Sequence, residues 1–416
     1  MNDSNATSMG HVVAARRRIA KHLRPTPLVH AFNLSKRTGI DLYLKLESAH
    51  VTGAFKERGA LNRLLRLRPE ERERGVIAAS AGNHAQALSL HASRLGIDAT
   101  IVMPEHTPIV KVSRTQRYGA EVVLSGATFD DANALAIQRT EEHDLTYIPA
   151  FDDPDVIAGQ GTCALEILDH DEDFDAVLVP VGGGGLIAGM ATALKEGGAR
   201  SEVIGVQTSA FPSMLRSLEA GRPTDVDAAR TIADGIAVRC PGVHTFALAQ
   251  RYVDRVVTAG EEDLARAILT LIEDERVIAE GAAAAPLAAL LAGSLDDLRG
   301  KRVCYVVSGG NIDTNVISDV IQRGLVRSGR RVQLDVAVPD RPGTLAHLTR
   351  VIADEQANVL EIRHDRAFSE VSLGETDITL WLETRGVDAI ASLTERLERE
   401  GFRVRRQQQI GPPAER

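Results

Sequence analysis

Lys56 is the residue whose surroundings most resemble those of a nucleophile. It lies at the centre of Val51-Thr52-Gly53-Ala54-Phe55-Lys56-Glu57-Arg58-Gly59-Ala60, directly after an aromatic ring and between two glycines. Taken alone the run reads as a solvated lysine at a helix start, because lysine is exposed by default. Three further loops change that reading, each after an apolar, strand-like run. Gly182-Gly183-Gly184-Gly185, followed by Leu186, has no Cβ to keep an anion from converging backbone N–H groups, and the helix that follows adds its positive end. The competing reading is a flexible connector. Ser80-Ala81-Gly82-Asn83-His84-Ala85-Gln86 offers two polar side chains and loop N–H groups at a helix start, suiting either a second anion clamp or a capped helix. Ser308-Gly309-Gly310-Asn311 presents a hydroxyl in a tight turn.

Together these supply an amine, a phosphate cradle, a carboxylate clamp and a neutral partner for a ring nitrogen. Those are the requirements of pyridoxal 5'-phosphate (PLP) held on a lysine.

The elements that must position the loops alternate. Period-2 or short apolar runs predict strands over 41–47, 75–79, 99–103, 121–125 and 146–149, with helices over 57–67, 83–95, 108–118 and 129–143. A second series starts near Asp155. Its strands are predicted over 175–181, 201–207 and 301–307, and its helices over 186–195, 212–220, 261–274 and 281–292. Such alternation implies βαβ units and parallel sheets, here as two α/β lobes with ligands at the carboxyl ends of the strands. The polar, basic stretch 323–331 reads as a linker. Beyond it the order strand 332–338, turn 340–343, helix 344–356, strands 358–364 and 376–384, helix 387–400 and strand 402–406 is βαββαβ, a ferredoxin-like domain.

Composition narrows the classes. The 416 residues are too many for one ordinary domain. The chain is 44% hydrophobic and 25% charged, as globular proteins are. A net charge of -9 argues against general binding to nucleic acid or anionic membranes. No apolar run approaches the roughly 18 residues of a membrane span, and MNDSNATSMG is not a secretory signal, so a cytoplasmic protein is expected. Cys163, Cys240 and Cys304 read as reduced core residues. After Gly205-Val206-Gln207-Thr208 no carboxylate occurs until Glu219, so no divalent-metal site is predicted there.

The four loops, in this order, resemble the fold-type II PLP enzymes (tryptophan synthase β-like), and within them the serine/threonine dehydratase family that includes threonine and serine ammonia-lyases and serine racemase. The stretch around Asp340-Arg341-Pro342-Gly343 resembles an ACT domain, a regulatory module of amino-acid enzymes. The resemblance implies a catalytic domain over 1–325, its small lobe at about 53–152, and an ACT domain over 331–406.

By the same resemblance Lys56 holds PLP and acts as base on Cα, with Phe55 beside the ring and Asn83 on its phenolic oxygen. Gly182, Gly183, Gly184, Gly185 and Leu186 cradle the phosphate, Ser308 meets the pyridine nitrogen, and Gly235 and Glu280 fall near the ring. Ser80, Asn83, His84 and Ala85 hold the substrate carboxylate, with Ser80 also among the catalytic residues. Ala54 departs from the serine more often found there. The implied reaction is β-elimination of L-threonine, and L-serine, to 2-oxobutyrate or pyruvate and ammonia, serving isoleucine synthesis or threonine catabolism. A serine dehydratase or racemase and a 3-hydroxyaspartate dehydratase are the enzymatic alternatives. A catalytically silent ACT-linked amino-acid sensor is the alternative of another class. An amino acid or AMP is the expected effector at Asp340, Gly343 and Asn358, in a homo-oligomer.

Overall fold

The computed structural model describes residues 7–170, 173–365, 372 and 374–408. The chain divides after Asp313 into two compact units.

The first unit holds ten strands: β1 (Leu28–His30), β2 (Asp41–Leu46), β3 (Val76–Ala79), β4 (Ala99–Met103), β5 (Glu121–Leu124), β6 (Thr146–Tyr147), β7 (Ala176–Pro180), β8 (Glu202–Thr208), β9 (Arg255–Ala259) and β10 (Arg302–Val307). They form a six-stranded sheet in the order β1-β2-β10-β7-β8-β9 and a four-stranded sheet in the order β5-β4-β3-β6. Every pairing is parallel except β1 with β2. β7 and β10 read as continuous apolar runs because helices cover both faces of the large sheet. One core, around Val177, Val179, Ile187, Met190 and Val306, lies under the large sheet, and a second, around Leu64, Ala78, Leu88 and Ile101, belongs to the small one. Among the described residues no helix is long and apolar enough to cross a membrane.

Several elements escaped the periodicity reading. Helix Pro154–Leu168 is buried on almost every face and contains Gly159 and Gly161, so it shows no amphipathic stripe. Its glycines mark close helix crossings: a Cβ on Gly159 would lie 2.6 Å from the Arg58 carbonyl oxygen. The predicted helix over 261–274 is α-helical only at Glu261–Thr270 and widens into a π turn at Leu271–Glu275.

The second unit begins with helix Thr314–Arg327, which overturns the linker reading of 323–331. Val316, Ile317, Val320, Ile321 and Leu325 recur at helical spacing, and arginine is a good helix former. Strands β11 (Arg331–Pro339), β12 (Asn358–Asp365), β13 (Glu375–Glu383) and β14 (Arg403–Gln408) make an antiparallel sheet in the order β12-β13-β11-β14. Helices Thr344–Asp354 and Val387–Arg399 complete the βαββαβ arrangement. Its own core gathers Leu334, Leu348, Ile352, Leu380, Leu393 and Leu397.

Of the cysteines, Cys163 and Cys304 are buried, while Cys240 is only half-buried and is not a core residue. It follows Arg239, whose guanidinium pairs with Asp225, in a segment too polar to be drawn inside.

Candidate active site

Strand order places the chemistry. β2, β10 and β7 are adjacent and parallel, so the Lys56 segment, the Ser308 loop and the four-glycine loop leave the same edge of one sheet. The Ser80 loop leaves β3 of the other sheet, and Asn83 opens helix Asn83–Leu95.

Lys56 is the first residue of helix Lys56–Leu65. Its Nζ donates to the Ala150 carbonyl at 2.6 Å and lies 5.1 Å from the Phe55 ring centroid. Burial lowers its pKa from 10.5 to about 8, with Glu280 opposing the shift. A minor but far greater share of this amine than of an ordinary lysine is therefore neutral near physiological pH, as a nucleophile and base must be. Phe55 N–H donates to the Ser308 carbonyl at 3.0 Å, Gly310 N–H to that of Gly53 at 2.9 Å, and Ala54 forms a β-bridge with Gly309. The lysine and serine loops are thus stitched through backbone, so Ala54 needs no side-chain hydroxyl for that contact.

Glu280 stands where glycines make room for it. A Cβ on Gly309 would fall 2.7 Å, and on Gly235 3.3 Å, from its Oε1. Its carboxylate accepts from Asn83 Nδ2 at 2.8 and 3.1 Å, while Asn83 Oδ1 accepts from Asn311 Nδ2 at 2.8 Å. Burial raises the Glu280 carboxyl to about 7. Ser80 Oγ accepts from the N–H groups of Gly82 and Ala85, both at 3.3 Å, and so shapes the clamp loop. His84 Nε2–H donates to the Ile148 carbonyl at 3.0 Å, and its Nδ1 is buried with no hydrogen-bond partner among the described residues. Burial, with Lys56 nearby, lowers its pKa to about 3, so the ring is neutral at all ordinary pH.

The glycine loop fits a phosphate. Among the described residues, no protein acceptor takes the N–H groups of Gly182, Gly183, Gly184 or Gly185. A Cβ on Gly183 would lie 2.5 Å from ring carbons of Phe151, and Gly184 has φ +96° at the N-cap of helix Gly185–Glu196. Packing against Phe151 therefore demands glycine at 183, the left-handed φ favours it at 184, and the four N–H groups without a protein acceptor stand at the positive end of a helix, where an anion is favoured.

A buried charge cluster behind Lys56 was not foreseen. Arg58 brackets Glu47 at 2.7 and 2.8 Å and Glu166 at 2.6 and 2.8 Å, and Lys45 Nζ reaches Glu166 at 2.5 Å. Burial pushes Glu47 up, but the Arg58 guanidinium and the bond from His50 leave it well below the usual carboxylate range. Glu57, the next residue, accepts from Thr52 N–H at 2.5 Å and pairs with His91 at 2.9 Å. The sequence signal was available: Glu57, Arg58 and Asn62 are polar residues on what is otherwise the apolar face of their helix.

In the second unit, Gly343 (φ +92°) caps helix Thr344–Asp354 and Asp340 N–H donates to Gly374 O at 2.9 Å. Asn358 starts edge strand β12 and donates to Glu383 at 3.4 Å.

This is the architecture of a PLP enzyme, and the chain belongs to the pyridoxal-phosphate dependent enzyme family, which it matches over residues 19–309. Residues 332–402 match the ACT domain family. The chain is 48% identical over 387 residues to the L-threonine ammonia-lyase of Geobacter sulfurreducens, covering 93% of this chain and 96% of that one. It is 46% identical over 391 residues to the L-threonine ammonia-lyase of Thermotoga maritima, covering 94% and 97%. Its fold superimposes on the processed form of threonine deaminase isoform 2 from Solanum lycopersicum with a TM-score of 0.73 at 37% identity, over 76% of this chain and 90% of that one.

Proposed function

We propose that this chain deaminates L-threonine, and L-serine more slowly, by β-elimination to 2-oxobutyrate or pyruvate and ammonia. The carrying observation is the buried amine of Lys56, with its pKa near 8, on the same sheet edge as the uncommitted N–H groups of Gly182–Gly185. Bound PLP supplies the electron sink that makes the Cα proton acidic. The chain supplies the rest. The glycine loop and Leu186 would hold the phosphate, Ser308 would meet the pyridine nitrogen, and Asn83 would bond the phenolic oxygen. Ser80 fixes the loop of Asn83, His84 and Ala85, whose N–H groups take the substrate carboxylate. Lys56 would remove the Cα proton of a substrate held there; the β-hydroxyl would leave as water, taking up one proton to balance the one removed from Cα, and one water would be consumed when the product hydrolyses to the 2-oxo acid and ammonium.

Ala81 supports elimination with little or no racemisation: it lies next to the clamp glycine and has no proton to deliver to the face of Cα opposite Lys56. In the ACT domain, the Asp340–Gly343 turn at a helix N-terminus supports a carboxylate site completed by Asn358 of a second copy. A branched-chain amino acid is the effector this favours, with AMP as the alternative. The chain then acts as a homo-oligomer in the cytoplasm, in isoleucine synthesis or threonine breakdown.

The test is direct. Purified protein with PLP should show the visible band of the lysine-bound cofactor, with borohydride fixing the added mass on the Lys56 peptide, and should form 2-oxobutyrate from L-threonine. Absence of the band after PLP addition would refute the enzyme reading and leave the silent sensor.

A further inference from the structure

The chain crosses from the small sheet back to the large one in the residues between β6 and helix Pro154–Leu168, and this crossing touches His84, Lys56 and the glycine loop. Ile148 O takes His84 Nε2–H and Ala150 O takes Lys56 Nζ. The Phe151 ring covers Gly183, and its backbone lies against Gly185, where a Cβ would be 3.1 Å from Phe151 Cα. What pins the crossing is the next residue. The Asp152 carboxylate accepts three backbone N–H groups at the start of helix Val243–Tyr252: Val243 at 2.9 Å, His244 at 2.9 Å and Thr245 at 3.1 Å.

That helix has no capping side chain of its own, since its N-cap is Gly242. A Cβ at 242 would lie 2.1 Å from Asp152 Cγ, so glycine there admits the carboxylate. Thr245 closes the circuit: its Oγ1 donates to Gly183 O at 2.7 Å, orienting the peptide next to the cradle.

We infer that Asp152 is a positioning residue for the cofactor seat, acting through Thr245 and Phe151 on the Gly183 peptide and through Ala150 on Lys56. This rests on the cofactor seat proposed above. A carboxylate at a helix N-terminus is held by both hydrogen bonds and the helix dipole. It therefore fixes, as one unit, a cap, a ring over the cradle and the carbonyl that holds the lysine. Small errors in such supporting contacts loosen a site without unfolding the scaffold.

The experiment measures PLP affinity by titrating cofactor-stripped full-length protein and following the visible band, with urea unfolding run in parallel. Asp152→Asn, which keeps one acceptor oxygen but puts an NH₂ donor in place of the other and removes the charge at the helix start, should raise the PLP Kd roughly tenfold, and Thr245→Val should do similarly. The double variant should be no weaker than about the worse single, because residues of one network do not act additively. Thr128→Ala, which removes a side-chain cap from helix Phe129–His143, a helix packed on the small sheet, should lower stability and leave the Kd unchanged. If Asp152→Asn does not fold, Asp152→Ser keeps a capping oxygen and carries the same expectation. A Kd within threefold of wild type in the Asp152 variant, or a double-variant loss equal to the product of the singles, overturns the inference. So does a matching Kd rise in Thr128→Ala, which would trace the effect to general destabilisation. A wild-type chain that binds no PLP would overturn the cofactor seat itself.

Discussion

Replacing Arg58 by methionine tests the charge cluster beneath Lys56. The guanidinium makes four carboxylate contacts between 2.6 and 2.8 Å, two on Glu47 and two on Glu166. Removing it leaves Glu166 with Lys45, but leaves Glu47, fully buried, with only Thr26 Oγ1 at 2.6 Å, His50 at 3.2 Å and a Cys163 thiol at 3.4 Å. Breaking a buried pair on one side costs about 3–5 kcal/mol, against a typical total stability of about 5–15 kcal/mol. The pH dependence should identify the cause. In the native chain the Glu47 pKa is below its unfolded value, so its contribution is complete above the unfolded pKa and is lost as pH falls through the folded one. Without Arg58, burial outweighs what His50 and Thr26 still contribute and raises the Glu47 pKa above its unfolded value. The penalty then operates at neutral pH and shrinks as pH falls and the carboxyl protonates. Urea unfolding of Arg58→Met should show a loss of about 3–5 kcal/mol near pH 7.5 that narrows by more than about 1 kcal/mol near pH 5.5. Adding Glu47→Gln should recover part of the loss at the higher pH. A loss below about 1 kcal/mol, or one equal at both pH values, would refute the assignment of an uncompensated buried carboxylate.

Cofactor attachment should follow the ionisation of Lys56: the rate at which the visible band forms on PLP addition should rise with pH through about 8, and a midpoint near 10 would mean an ordinary, solvated lysine. From L-serine the chain should form pyruvate with little D-serine, because Ala81 offers no proton to the second face; comparable rates of the two products, read by chiral chromatography, would contradict this. Activity should survive EDTA without added Mg²⁺, since Gln207, where a carboxylate would be needed, instead spends its side chain on Val181 O and Leu215 N–H; activity restored only by Mg²⁺ would show otherwise. A chain ending at Asp313 should keep threonine turnover and lose any shift of its saturation curve by branched-chain amino acids, whereas a shift that persists would place the effector site in the first unit.

Sequence alone determined the parts that depend on local chemistry. An apolar run followed by four glycines specifies a strand, a turn without Cβ atoms and a helix start, whatever lies around it. Period-2 runs alternating with helical ones specified parallel sheets, and the change after residue 331 to βαββαβ specified a second domain. The family resemblance rested on loops of this kind, each short and contiguous. Sequence reading failed where contacts rather than periodicity decide. Helix Pro154–Leu168 lacks a polar face because neighbours cover it all round. Lys45 occupies a position that alternation leaves ambiguous, and its bonds to the Thr26 carbonyl and to Glu166, 121 residues away, let it be 1% exposed. Asp152 caps a helix that begins 91 residues later, and Glu280 reaches Asn83 across 197 residues. Burying such groups is tolerated only when partners meet them, and those partners come from distant segments brought together by the order of strands in the sheet. The types of the site residues were therefore legible in the chain, while their protonation, their supports and their registration against one another were set by tertiary structure.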